Sequence, residues 1–337
     1  MNSRRIKITT ISLTILLFTF VHNAQSSQRQ FLIQNYEHTT GGINLINALK
    51  IFRKKRDVVV AVIDTGIDYE HPYLKRNIYV PFGKSGSGNF GADFSFKYKS
   101  TTTPFDYHGH GTHVAGIIKS VFNDVRLLPL KYYNPQSSGP ENLKATIKAL
   151  KFAVDANVDI INYSGGGPEP SLEELRVLKI AEKKGILVIC AAGNEHSNID
   201  QKENAYYPAS YGLSNIITVG AHDSSTNILP SSNWGATSVD ISAPGKDINS
   251  TVPPSSSSKM TGTSQATAFV TGVVALIKSN FPKLSMKDIR KTIVISSTKT
   301  NSQKKQNLAK GVLNAKNSLV FANYLYSKQN TLSAKAR

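Results

Sequence analysis

Apolar residues in this chain gather in short unbroken runs separated by stretches of longer period. "VVVAVID" (58–64), "VRLLPLKYY" (125–133), "VDIINYS" (158–164), "GILVICAAG" (185–193) and "IITVGA" (216–221) predict buried strands. Between them, "NLKATIKALKFAVDAN" (142–157) and "SLEELRVLKIAEKKG" (171–185) place apolar residues three and four apart, as amphipathic helices do. Further on, "SQATAFVTGVVALIKSNFP" is apolar nearly all round and predicts a buried helix. "SMKDIRKTIVISS" follows as another, with Ser285 as its N-cap. Lys299 to Gln306 predicts a polar loop, and Ser327 to Arg337 a disordered polar tail. Strand–helix–strand alternation predicts an α/β fold with a mostly parallel sheet and helices on both faces. No internal repeat or linker divides the pattern, so one domain is expected over 58–326, preceded by a segment over 27–57.

The N-terminus departs from this pattern. Arg4, Arg5 and Lys7 precede an uncharged run, Ile8 to Val21, and then small and polar residues around Ala24 and Ser26. That order predicts a secretory signal over residues 1–26 and an exported protein, secreted or periplasmic. No later run is long enough to span a bilayer, so no stable membrane association is expected after cleavage. The only cysteine is Cys190, which excludes an internal disulfide. Loss of the leader's three positive charges takes the formal net charge from +18 to +15. The lysines are scattered and form no nucleic-acid module, so a solvated basic surface is expected rather than a nucleic-acid partner.

In parallel sheets, sites form at the carboxyl ends of the strands. That rule selects Asp64, closing the first strand; Ser164, Gly165 and Gly166 after the third; and Asn194 after the fourth. Ser264 lies between the turn "TGTS" and the buried helix. "DYHGHGTHVAG" (106–116) opens another helix, whose inward stripe is Val114, Ile117, Ile118 and Val121. At about 100° per residue, His110 and His113 lie near that stripe and His108 opposite it. His110 occupies the first turn, at the rim; His113 is one turn deeper, where a hydrogen-bonded core ring is common. A helix N-terminus disfavours imidazolium, which predicts a neutral His110. Periodicity alone leaves both histidines open.

An Asp–His–Ser relay accounts for these positions together. A serine hydroxyl is a weak nucleophile until a neutral histidine takes its proton and a carboxylate orients the ring. Asp64, His110 and Ser264 can fill those roles. The Ser264 N–H and the Asn194 side chain can serve a developing oxyanion. Taken singly, Ser264 would be a helix cap, Asp64 a turn residue and Asn194 a left-handed loop residue. All eight histidines precede Ser264, which excludes the hydrolase order with histidine last. "DTG" (64–66) has no second copy to make an aspartate pair. The histidines lack an "HEXXH" arrangement or a nearby cysteine that would close a zinc site.

The chain resembles the subtilisin-family serine proteases (subtilases). "VVVAVIDTGID", "HGTHVAG" and "GTSQAT" resemble the family's three signature segments, "INYSGGGP" its substrate-binding strand, and "AAGNE" its oxyanion segment. The resemblance runs from about Gly42 to Tyr326 and implies a three-layer subtilisin-like fold. It implies a secreted serine endopeptidase acting on protein or peptide substrates as a monomer. It assigns Asp64, His110 and Ser264 to catalysis, choosing the first histidine of "HGTH", and Asn194 with Ser264 to the oxyanion hole. It also implies that Ser164, Gly165 and Gly166 form one wall of the main specificity pocket, and Ala191, Ala192 and Gly193 the other. Small residues on both walls predict a roomy pocket.

Several positions depart from the family. Gln265 and Ala268 stand where Met and Pro are usual. Neither touches a reacting group, so activity is expected, but the change also raises a catalytically silent binding protein as the alternative. The family-like region follows the leader within some tens of residues, too soon for a sizeable inhibitory pro-segment. No cofactor is implied. Calcium is not expected after "HVAGII", where "KSVFND" runs straight into a strand, or in the lysine-bearing "FSFKYKSTTTPFD" (94–106).

Overall fold

The computed structural model describes residues 42–81, 89–96 and 101–335. The leader, residues 27–41 of the 27–57 segment and residues 97–100 of "FSFKYKSTTTPFD" lie outside the described residues. Eleven strands are described: β1 (Val59–Asp64), β2 (Ala92–Asp93), β3 (Arg126–Lys131), β4 (Ile160–Tyr163), β5 (Leu187–Ala191), β6 (Ile216–His222), β7 (Ile241–Pro244), β8 (Ile248–Val252), β9 (Ser256–Met260), β10 (Thr298–Lys299) and β11 (Gly311–Val312). Seven α-helices accompany them: α1 (Leu45–Ile51), α2 (His110–Val121), α3 (Gly139–Asp155), α4 (Leu172–Lys183), α5 (Thr263–Asn280), α6 (Met286–Ile295) and α7 (Ala315–Lys335).

Nine strands form one sheet in the order β10-β11-β7-β6-β5-β4-β1-β3-β2, parallel except for the β10–β11 pair. The predicted strand runs are unbroken because both faces of each strand are covered. Val60 and Val62 point into a core shared with Val114 of α2 and Phe269 of α5. Their neighbours Ala61 and Ile63 point into a second core with Leu150 of α3 and Leu178 of α4. With a side-chain period of two and apolar layers above and below, nearly every position is apolar, and a buried exception such as Asn162 of β4 is hydrogen-bonded. The result is the three-layer α/β fold that the alternation predicts.

Topology places the site. From β1 the sheet grows one way through β3 to β2 and the other way through β4 to β7. The carboxyl ends flanking such a divergence form a crevice. Register aligns the exits: Ile63 pairs with Tyr163, and Tyr163 with Cys190. Asp64, Ser164 and the turn after Ala191 therefore leave the sheet at one level.

Three features differ from the sequence expectations. Helix α3 starts at Gly139, three residues early, because Ser138 and Glu141 form a capping box with Pro140 in the first turn. The β8–β9 hairpin was not visible as an alternating pattern, since β9 is "SSSKM" with an exposed face. The expected disordered tail is helical instead: α7 continues to Lys335. Its early turns pack against α1 and the core through Leu319, Leu325 and Tyr326, and Gln329 Nε2 donates to Asp288 Oδ2 of α6 at 2.9 Å. Once those turns are docked, each further residue adds a helical bond at little cost.

Candidate active site

Asp64 ends β1, buried at 3% exposure. Its Oδ1 accepts the Thr65 N–H at 2.7 Å and faces His110 Nδ1 at 2.7 Å. A carboxylate can only accept, so Nδ1 carries the proton and Nε2 is the ring's free acceptor position. This close approach depends on Gly111. A Cβ there would come within 2.0 Å of Gly66 O and 3.1 Å of Asp64 Cβ. Without that side chain, the first turn of α2 can lie directly on the end of β1.

Asp106, which sequence reasoning passed over, organises the same turn. It is fully buried, and its Oδ1 accepts the Thr65 hydroxyl at 2.8 Å and the N–H groups of His108 and Gly109 at 3.0 and 2.8 Å. Its Oδ2 takes the Thr112 N–H and hydroxyl at 2.9 and 2.7 Å. The Thr65 hydroxyl in turn accepts the Gly111 N–H at 2.9 Å. One carboxylate therefore satisfies several donors at the start of α2 that have no intrahelical partner. The available signal was an aspartate four residues before a helix with no other cap.

These carboxylates also reverse one expectation. Burial opposes charge on His110, but the adjacent Asp64, hydrogen-bonded to the ring, and then Asp106 outweigh it. The pKa of His110 lies above the ordinary imidazole value, not below it as the helix N-terminus alone predicts.

The three histidines separate as the helical stripe suggests. His108 is exposed, edge-on to His110 and to Tyr133. His113 is fully buried, and its Nε2 donates to Ile248 O at 2.9 Å and Ser258 O at 3.1 Å on the β8–β9 hairpin. Burial drives its pKa down to about 4, so it stays neutral. The hairpin holds α2 in return: Ser250 and Thr251 donate to His113 O and Thr112 O at 2.7 and 2.8 Å.

Ser264 lies in the first turn of α5, at 7% exposure. Its N–H is one of the donors left over at a helix start, where the helix dipole favours negative charge. Its hydroxyl donates to Ser164 O at 3.1 Å. The Ser164 hydroxyl accepts from Asn162 Nδ2 at 2.9 Å, and Asn162 Oδ1 accepts the Thr271 hydroxyl at 2.8 Å. Two links therefore tie α5 to the end of β4. Asn194 is exposed after β5, and its Oδ1 accepts the Thr263 N–H and hydroxyl at 3.0 and 3.2 Å. With its oxygen committed to Thr263, Asn194 has its NH₂ to donate.

The segments Ser164–Gly166 and Ala191–Gly193 flank the crevice from neighbouring strands. The space expected to be open between them is occupied by a side chain. The ring of Tyr206 lies there: a Cβ on Gly166 would come within 2.4 Å of its Cε1, and one on Gly193 within 3.0 Å of its Cε2. Ala192 is fully buried in the core beneath, so its side chain lines no pocket. Small residues line both segments, but what fills the space between them comes from a residue outside both.

A sequence model of the subtilase family matches residues 55–312. The chain is 36% identical to the "Major intracellular serine protease" of Bacillus subtilis (strain 168), covering 79% of this chain and 81% of that protein. It is 38% identical to the "Intracellular serine protease" of Paenibacillus polymyxa over 70% of this chain and 72% of that one. With "Subtilisin DY" of Bacillus licheniformis it shares 35% identity over 81% of this chain and 96% of that protein.

Proposed function

Because the chain belongs to the subtilase family and is a serine-type endopeptidase, we propose that Asp64, His110 and Ser264 are its catalytic residues and that it acts after export. The observation that carries the assignment is the 2.7 Å contact between His110 Nδ1 and the buried Asp64 carboxylate. It fixes the tautomer that leaves Nε2 able to take a proton.

In this reading the Ser264 hydroxyl turns from the Ser164 carbonyl toward Nε2, gives up its proton and attacks the scissile carbonyl. Asp64 holds the ring and stabilises the imidazolium, which accounts for the raised pKa. The Ser264 N–H and the Asn194 amide receive the negative oxygen. His110 then protonates the leaving amine, and water releases the acyl-enzyme by the same steps in reverse roles. The backbone of Ser164, Gly165 and Gly166 binds an extended peptide as an added strand, with Ala191 and Gly193 across from it.

The test is labelling by a fluorophosphonate. A stoichiometric adduct on Ser264 is expected in the folded protein, lost in Ser264→Ala and strongly slowed in His110→Ala. Labelling elsewhere, or none, would overturn the assignment. Export rests on the order of charge, apolar run and small residues in 1–26. Among the described residues, no helix is long and apolar enough to cross a membrane. Two of the relatives above are named intracellular, so the compartment needs its own measurement. Intact-mass analysis of the mature protein should show loss of about the first 26 residues; retention of Met1 in active enzyme would refute export.

A further inference from the structure

We propose that Tyr206 is the main specificity-determining residue, and that it restricts the substrate residue supplying the scissile carbonyl to a small side chain. This rests on the assignment of Ser264 as nucleophile and of the two glycine-bearing segments as pocket walls. The argument begins with the two edges of one ring. Cε1 of Tyr206 is directed at Gly166 and Cε2 at Gly193, each close enough that even a methyl group on the glycine would collide. The glycines therefore do not make the pocket roomy. Gly166 makes room for the tyrosine, and Gly193 makes room for Asn233 Nδ2 and Glu195 Oε2, each 2.4 Å from where its Cβ would be, with the ring beside them.

The ring is held there from several sides. The Tyr206 N–H donates to the Ser210 hydroxyl at 3.0 Å. The next residue, Tyr207, exchanges two backbone hydrogen bonds with Gly167, at 2.8 and 3.0 Å, which pins residue 206 against the Ser164–Gly166 wall. The ring also packs against the core below β4 and β5. Burial, and then the nearby Glu195 carboxylate, push the Tyr206 phenol well above its ordinary value, so it stays neutral. The Glu195 carboxylate is in turn held by Asn233 Nδ2 at 2.6 Å, and both face the same side of Gly193 as the ring does.

A side chain entering between the walls meets this ring. Glycine, alanine or serine fits above it, whereas leucine or phenylalanine must displace it from a packed position, and overfilling such a site is unfavourable. Each added methylene in a tight pocket changes selectivity by roughly tenfold or more.

The experiment measures kcat/KM on a peptide series that varies only the residue before the cleaved bond, with fluorophosphonate titration of active Ser264 in parallel. The wild-type enzyme should prefer alanine to phenylalanine by about 50-fold or more. Tyr206→Gly should raise the phenylalanine-to-alanine ratio by at least about tenfold. Tyr206→Phe, which keeps the ring, should leave that ratio near the wild-type value. Titration separates a change in preference from loss of folded enzyme. A wild-type enzyme that cleaves after phenylalanine or leucine as readily as after alanine would overturn the proposal while leaving Ser264 in place, and this holds whether or not the glycine variant folds. An unchanged ratio in a titratable Tyr206→Gly enzyme would do the same. No cleavage of any peptide and no labelling would instead overturn the nucleophile assignment, and the pocket reading with it.

Discussion

Replacing Gln265 by methionine should stabilise this protein. Gln265 follows the nucleophile in α5, is 2% exposed, and its Nε2 has no hydrogen-bond partner among the described residues. A buried donor without a partner costs about 1–3 kcal/mol. Methionine has a similar unbranched shape and no donor, so Gln265→Met removes that cost and leaves the packing volume nearly unchanged. At the 2–4 °C per kcal/mol typical of domains of about 150–250 residues, the melting temperature should rise by roughly 2–12 °C, toward the lower end for this longer chain. Differential scanning calorimetry on a Ser264→Ala background, which prevents self-digestion, measures it. Gln265→Leu serves as a second apolar variant in case methionine packs poorly. Unchanged or lowered melting temperatures in both would refute the reasoning, because they would mean that Nε2 is satisfied in solution. The stabilised methionine enzyme should also lose activity in hydrogen peroxide, which the wild type withstands, since a thioether beside the nucleophile oxidises readily.

Further expectations follow from the charges around the site and beneath it. His110 must be neutral to act as a base, and its pKa is raised, so the acid limb of kcat/KM should lie above pH 6.5; Asp106→Asn should move it downward, and an unmoved limb would remove Asp106 from the electrostatics of the site. His113 and His222 are buried with pKa values near 4, below their unfolded value of 6.5. The stability of keeping them neutral is complete above about pH 6.5 and is lost as pH falls toward 4, by up to about 3 kcal/mol each. Urea midpoints at pH 7.5, 5.5 and 4.5 should fall accordingly, and a flat profile would contradict the burial of both rings. Arg290 pairs with buried Asp240 through Nε at 3.0 Å and Nη2 at 2.8 Å, yet burial still outweighs it and holds the Asp240 pKa above the usual carboxylate value. Arg290→Met should therefore destabilise by about 3–5 kcal/mol at neutral pH and less at acid pH, where Asp240 protonates; an equal loss at both would argue against a charge effect.

What the sequence determined by itself is set by local periodicity and by residue chemistry at strand ends. The five strand runs, the amphipathic helices and the parallel sheet were legible because burial on both faces leaves few polar positions in a strand. Asp64, Ser164, Asn194 and Ser264 were legible as candidates because each sits where such a strand or a buried helix ends. Periodicity also placed His108 outward and His113 inward, but it could not separate His110 from His113. That choice became geometric only when Gly111 let the first turn of α2 meet Asp64. Tertiary structure alone decided whatever depends on residues distant in the chain. Asp106 is close to His110 in sequence, but it is held under the helix start partly by Thr65, forty-one residues away, and from there it raises the basicity of His110. The tail stays helical because Gln329 reaches Asp288. The pocket between Gly166 and Gly193 holds the ring of Tyr206, forty residues after one glycine and thirteen after the other. Small residues in a sequence show that space is available. Only the fold shows what occupies it, because packing is a property of all the neighbours together.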